Sequence, residues 1–161
     1  MDYFQGVVTE FLRANRATFV NSECLIQLEE GHVPAKGSHW YCDAVAANLA
    51  ESTVYLCEVT YSASLQALVK RLTSWAANWP SLKRSLWRDC CVPEQWSVVP
   101  WVFIPKDRES LLRRKFVVQN VKTTSDLMPF PKVTHLEDVV PWKYPSWDRK
   151  LEELSDTTTT V

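Results

Sequence analysis

The spacing of hydrophobic residues changes from helical to strand-like within the first thirty positions of the chain. Between residues 3 and 15, apolar side chains recur every three or four positions, which is typical of an amphipathic helix. From Phe19 to Leu28, apolar and polar residues alternate. The alternation predicts a first strand that carries Val20, Cys24 and Ile26 on one side.

Two further strands are predicted before the next helix. The segment Thr53–Tyr61 is rich in β-branched and aromatic residues, and His39–Ala47 precedes it after a polar break. Only a short connection, residues 48–52, separates these two segments. The close spacing favours an antiparallel hairpin.

The period returns to helical spacing at the end of the third predicted strand. Ser62 or Ser64 can cap a long helix whose apolar stripe runs from Leu65 to Trp79. We expect Asn78 and Pro80 to end this helix and to start a second, shorter one, because proline is tolerated only in a first turn.

A fourth strand and a basic helix follow. The apolar run Trp96–Ile104 predicts a strand that lies near an edge of the sheet or is bulged at Pro100, since proline has no backbone N–H to donate. Asp107 can then cap a basic helix that extends to Phe116, and residues 117–121 suggest a further short strand.

The predicted order of helix, three strands, helix and strand indicates an α/β domain. We expect a mixed sheet of four to five strands flanked by helices. The chain has 161 residues, 46% of them hydrophobic, which suffices for one core, so residues 1–155 are predicted to form a single domain and residues 156–161 a disordered tail. Neither a membrane span nor a signal peptide is evident, and we expect a cytoplasmic protein that does not contact membranes.

Charge is segregated along the chain although the overall net charge is only −1. Residues 1–61 carry a net charge of −5, residues 62–122 carry +7 and residues 123–161 carry −3. Such a distribution allows an acidic site beside a positive surface, as a metal site next to a polyanion requires. The alternative is that the basic residues form the solvated faces of helices.

Two acidic residues interrupt otherwise apolar strands. Asp43 lies in the second predicted strand and Glu58 in the third, and a buried carboxylate is costly unless its charge is compensated. If the two carboxylates lie roughly 5 Å apart, they repel each other by about 3 kcal/mol, which favours binding of a cation. Oxygen ligands of this kind suit Mg²⁺ or Mn²⁺. The competing interpretation is that hydrogen bonds satisfy both acids.

Asp43 and the tripeptide Glu58-Val59-Thr60 resemble the motif of the PD-(D/E)XK nuclease-like superfamily. The resemblance covers roughly residues 1 to 105. It implies a restriction-endonuclease-like core of the order α-β-β-β-α-β, in which Asp43 and Glu58 bind Mg²⁺ and Glu10 of the first helix assists them. The implied activity is metal-dependent hydrolysis of phosphodiester bonds in DNA.

The chain departs from the family pattern at the residue that matters most for catalysis. Thr60 stands where the family has a lysine that orients the attacking water, and Cys42 stands where it often has proline. Lys70 on the following helix is the first candidate to replace the lysine, but helical spacing turns it towards solvent. Gln66 lies closer to the edge of the apolar stripe, so we expect Thr60 and Gln66 to position the water or the phosphate.

The missing lysine favours a second hypothesis, a catalytically inactive domain that keeps the fold and binds nucleic acid or a protein partner. Its contact surface would be the basic helices or the segment Trp142–Trp147. That segment could also stack on bases, although tryptophan residues are more often expected in the core.

Overall fold

The computed structural model describes residues 2–30, 37–117 and 126–151. Its four α-helices are α1 (Tyr3–Arg13), α2 (Gln66–Ala77), α3 (Trp79–Asp89) and α4 (Glu109–Lys115). Its five strands are β1 (Thr18–Gln27), β2 (His39–Asn48), β3 (Thr53–Val59), β4 (Ser97–Ile104) and β5 (Lys132–His135). The α/β class predicted from the sequence is confirmed. Residues 118–121, predicted as a strand, and the predicted tail lie outside the described residues.

The five strands form one mixed sheet in the order β1-β2-β3-β4-β5. The β1–β2 and β2–β3 pairs are antiparallel, and the β3–β4 and β4–β5 pairs are parallel. The predicted β2–β3 hairpin is therefore confirmed, with Ala44 opposite Cys57. Helices α2 and α3 form the crossover that the parallel β3–β4 pair requires.

Each face of the sheet carries its own hydrophobic cluster. On one face, buried residues of α2, α3 and α4, such as Leu72 and Trp75, pack against strand residues such as Leu56. On the other face, Val8 and Leu12 of α1 pack against a smaller cluster of strand residues. None of the described helices combines the length and apolarity that a membrane span needs.

The alternation of β1 reverses at Glu23, so the predicted single face for Val20, Cys24 and Ile26 is wrong. Val20 packs with the cluster under α1, whereas Cys24 and Ile26 belong to the opposite cluster. Glu23 has a φ of 52°, in the left-handed region that non-glycine residues seldom adopt, and this conformation interrupts the regular pleat. Because Ser22 pairs with Ala44 and Cys24 with Cys42, the distortion lies opposite Asp43.

Strand β4 is an inner strand for only part of its length. Strand β5, which the sequence did not predict, pairs with Trp101–Ile104 and not with the residues before them. Pro100 pairs with Leu56 of β3 and precedes the region covered by β5. A residue without a backbone N–H is accommodated there because β4 has only one sheet neighbour at that position.

The tryptophan residues divide between the core and the surface. Trp75, Trp79 and Trp101 are buried. Trp142 and Trp147 are exposed, so the expectation of core positions is wrong for these two. Both belong to the segment that the sequence offered as a contact surface.

Two substitutions on α2 can test which side of this helix is buried. Replacing the fully buried Leu72 with alanine should lower the free energy of unfolding by about 2 to 5 kcal/mol, because it leaves a cavity in the larger cluster. Replacing the exposed Lys70 with alanine should change it by no more than about 0.5 kcal/mol. Urea denaturation measures both values, and similar losses for the two variants would contradict this orientation of α2.

Candidate functional site

The β2–β3 hairpin brings Asp43 and Glu58 together. Backbone pairing ends at Ala44 and Cys57, and the next position on each strand carries one of the two acids. Beyond this pair, the side chain of Asp43 accepts a hydrogen bond from the backbone of β3. The N–H of Val59 donates to Oδ2 of Asp43 at 2.8 Å, which ties the Asp43 carboxylate to the backbone next to Glu58. The Asp43 carboxylate is therefore held beside Glu58 where the strands separate.

Gln5 of α1 fixes the other side of Asp43. Its Nε2 donates to Oδ1 of Asp43 at 2.7 Å, and its Oε1 accepts from the N–H of Asp2 at 3.1 Å. The Asp2 carboxylate in turn accepts from the Gln5 N–H at 2.9 Å, which completes a capping box at the start of α1. The pKa of Asp43 is raised, first by burial, although the hydrogen bond from Val59 and the charge of Arg71 oppose the shift.

Glu58 is buried against a cation from α2. Glu58 is only 7% exposed, and Nη1 of Arg71 donates to its Oε1 at 2.8 Å. The same nitrogen donates to the backbone oxygen of Tyr41 at 2.7 Å. Burial, and then the charge of Asp43, raise the pKa of Glu58 to about 7, outweighing Arg71 and the hydrogen bonds that lower it. Glu58 therefore keeps its proton to a higher pH than an exposed glutamate does.

The donor set of the two acids fits Mg²⁺ bound in its usual manner. A carboxylate offers about four lone-pair positions, so the hydrogen bonds to Asp43 and Glu58 leave positions open. Within the described ranges, no group of three or more His, Cys, Asp or Glu residues could hold a metal ion. Mg²⁺ is commonly held by one or two carboxylates together with waters and substrate phosphates, so a pair of acids suffices.

The structure brings the two strand acids together, but Glu10 pairs with a residue of its own helix. The Glu10 carboxylate is exposed and pairs with Arg13 of the same helix at 3.4 Å. The side chain of α1 that reaches Asp43 is Gln5. Sequence reasoning missed Gln5, although the spacing of Asp2 and Gln5 at the start of a helix is the signature of a capping box.

Thr60 follows β3 and Gln66 begins α2, and neither side chain forms a hydrogen bond with Asp43 or Glu58 in the described part of the chain. Oγ1 of Thr60 accepts from the N–H of Ser62 at 3.1 Å. Gln66 is exposed at the first position of α2. Their predicted role in positioning water or phosphate therefore requires a bound ligand to complete the contact.

The main residue that sequence reasoning missed is Arg71. Counted at about 100° per residue from Leu65, Arg71 falls at about 240°, roughly 100° from the centre of the apolar stripe. On the same count Gln66 lies about 120° and Lys70 about 160° from that centre. Helical spacing therefore places Arg71 closer to the buried side of α2 than Gln66 or Lys70. Lys70 is exposed, as the same count predicts.

The basic residues of the chain do not gather around the acids. Of the cations at 62–122, Arg71 is the one that contacts Glu58 among the described residues. Several others have partners elsewhere: Lys83 with Asp126, Arg88 with Gln27, Arg113 with Glu109 and Lys115 with Ser64. The positive segment is therefore spread over several surfaces.

Four side chains form the candidate site: Asp43, Glu58, Arg71 and Gln5. No protein-family model, curated protein or solved structure matches the chain. The two carboxylates can bind a cation, the guanidinium can bind a phosphate group and the amide orients Asp43. This combination suits chemistry on a phosphate ester.

The raised pKa of Glu58 predicts that stability falls as pH increases. Because the pKa of Glu58 is about 7 in the folded protein and 4.5 ordinarily, the folded state holds this proton longer than the unfolded state. The free energy of unfolding should therefore decrease between about pH 4.5 and pH 7, by on the order of 3 kcal/mol from this group. Urea denaturation of wild type and of Glu58→Gln across this range isolates the effect.

The stability of Glu58→Gln relative to wild type should thus increase with pH and level off above about pH 7. Glu94→Gln makes the same chemical change at an exposed carboxylate and should parallel wild type. A constant difference between Glu58→Gln and wild type at all pH values would show that the pKa of Glu58 is not raised.

Removing the Arg71 guanidinium should destabilise the protein in a pH-dependent way. In Arg71→Met, the ionised Glu58 loses its cation, which we expect to cost about 2 kcal/mol or more near pH 8. The cost should be smaller near pH 5, where Glu58 can retain its proton. Lys70→Met is the matched control, and equal losses for Arg71→Met at both pH values would contradict the ion pair.

Proposed function

We propose that this chain is a metal-dependent nuclease of the PD-(D/E)XK type that hydrolyses phosphodiester bonds in DNA. The element order from α1 to β4 agrees with a restriction-endonuclease-like core. The observation that carries the proposal is the pair of carboxylates from neighbouring strands: Asp43 accepts from the backbone next to Glu58, and Glu58 pairs with a guanidinium. Raised pKa values at both acids indicate that Arg71 compensates their charge incompletely.

Asp43 and Glu58 are the residues that would hold Mg²⁺ or Mn²⁺. When bound, the metal supplies a water of lowered pKa and charge stabilisation at the phosphate. The chain itself contributes the orientation of both ligands. Gln5 and the N–H of Val59 hold Asp43 in one position, and Arg71 holds Glu58.

Arg71 takes the place of the lysine that the motif lacks at Thr60. It comes from the helix that follows β3, and its guanidinium already contacts the motif glutamate. Arginine offers five N–H donors, of which both contacts described above use a single nitrogen. The remaining donors can bind a phosphate oxygen and offset its negative charge, with Thr60 and Gln66 positioning the water or the phosphate.

One observation favours a second candidate function, a non-catalytic domain that binds nucleic acid or a protein. The Arg71 guanidinium forms a direct ion pair with Glu58, and such a pair can compensate the acid without a metal. The exposed Trp142 and Trp147 would then belong to a contact surface for a protein partner.

A melting and cleavage experiment separates the two candidates. Wild type should gain thermal stability from Mg²⁺ or Mn²⁺ and should cut plasmid or single-stranded DNA only with the metal. Glu58→Gln should lose cleavage at least about a hundredfold and also lose the metal-induced shift in Tm. Arg71→Met should lose cleavage but keep a metal-induced shift, because it leaves both carboxylates in place.

Glu94→Gln is the control for removing a carboxylate and should behave as wild type in both measurements. Should wild type neither cut DNA nor gain stability from either metal, the nuclease proposal fails and the non-catalytic candidate takes its place. Cleavage that persists in Glu58→Gln would assign the reaction to other residues.

A further inference from the structure

A groove lies between α1, β1 and the turn that carries Trp147. Its volume is about 840 Å³, and the side chains that give it its chemical character are Arg13, Arg16 and Trp147, with hydroxyl groups of Thr9 and Ser22. Arginine binds phosphate groups, and an exposed indole offers a flat surface on which a planar ring can stack. The groove therefore suits a ligand that carries both phosphates and planar rings.

The positive charge of the groove is unusual for its part of the sequence. Arg13 and Arg16 are two of the three basic residues among positions 1–61, and both are exposed. Arg13 forms an ion pair with Glu10, but both side chains are well exposed, and a pair of this kind is weak enough for a phosphate to compete with it. A polyanion can therefore bind both arginines through its phosphate groups.

One end of the groove adjoins the acid pair. Thr9 lies one helical turn, about 5.4 Å, beyond Gln5, and its hydroxyl donates to the Gln5 carbonyl at 2.8 Å. Gln5 in turn contacts Asp43, and Ser22 pairs with Ala44 next to Asp43. A chain-like ligand that lies in the groove is thus directed towards Asp43.

Exposed aromatic rings accompany this path. Trp147 is 75% exposed at the distant end, while Tyr41 and Tyr61 are 53% and 62% exposed near the acids. The backbone of Tyr41 shares Arg71 with Glu58, and the ring of Tyr61 contacts Phe4, the neighbour of Gln5, with centroids 4.9 Å apart. Unpaired bases stack on such rings, whereas the bases of a duplex are already stacked on one another.

We propose that the groove binds single-stranded nucleic acid, with phosphates on Arg13 and Arg16 and a base stacked on Trp147, and directs the strand to Asp43. This proposal rests on the nuclease function proposed above for the acid pair and specifies its substrate as unpaired rather than duplex nucleic acid. The rings of Tyr41 and Tyr61 would receive bases at the acid end.

Binding is measured by the fluorescence anisotropy of a labelled oligothymidylate and of the corresponding duplex, with a chelator present so that no metal-dependent cleavage occurs. Trp147→Ala should weaken binding of the single strand about tenfold, and Arg16→Gln should weaken it and reduce its dependence on salt. Trp142→Ala is the matched control, since Trp142 is equally exposed in the same segment but does not line the groove. The affinity of Trp142→Ala for the single strand should stay within about twofold of wild type. Thermal melts establish that each variant is folded.

Equal affinities of Trp147→Ala and Trp142→Ala would overturn the proposal, as would a duplex that binds as tightly as the single strand or no binding of the single strand at low salt. The outcome is separable from that of the nuclease test. Binding that depends on Trp147 without metal-dependent cleavage supports the groove and refutes catalysis. Cleavage that is insensitive to Trp147→Ala and Arg16→Gln supports catalysis and refutes the groove.

Discussion

The hydrogen bond from the N–H of Val59 to the Asp43 carboxylate, at the point where β2 and β3 separate, is the interaction on which the site depends. Past the paired residues Ala44 and Cys57, the N–H of Val59 donates to the side chain of Asp43. A buried N–H left without an acceptor costs about 1 to 3 kcal/mol, so Asp43 supports the local backbone. The same burial raises the pKa of both acids. Hydrogen bonding and cation binding are therefore compatible roles for one pair of residues.

The sequence predicted those parts of the fold that depend on short-range patterns. The adjacency of Asp43 and Glu58 follows from two strand-like segments joined by a short connection, and it is found in the structure. The left-handed conformation of Glu23 has no signal in the side chain, because glutamate is not among the residues that favour it. Strand β5 has only four residues, and its pairing with β4 joins distant parts of the chain, which no local pattern records.

The distribution of charge shows why order along the chain does not translate directly into a surface. Helices turn by about 100° per residue, so a run of basic residues faces several directions. Arg71 alone among the described cations of the positive segment reaches the acids through hydrogen bonds, while Lys83 and Arg113 pair with carboxylates elsewhere. The arginines of the groove come instead from the acidic first third of the chain.

Gln5 has two structural roles, because the side chain that completes the capping box of α1 also holds Asp43. Fraying of the first helical turn therefore cannot occur without releasing Asp43 from one of its partners. Helix ends are among the parts of a protein that open most readily, so the order of the acid pair is linked to a local opening of low free energy. A ligand that fixes Asp43 should consequently slow amide hydrogen exchange in the first turn of α1, at a distance from the atoms that it contacts.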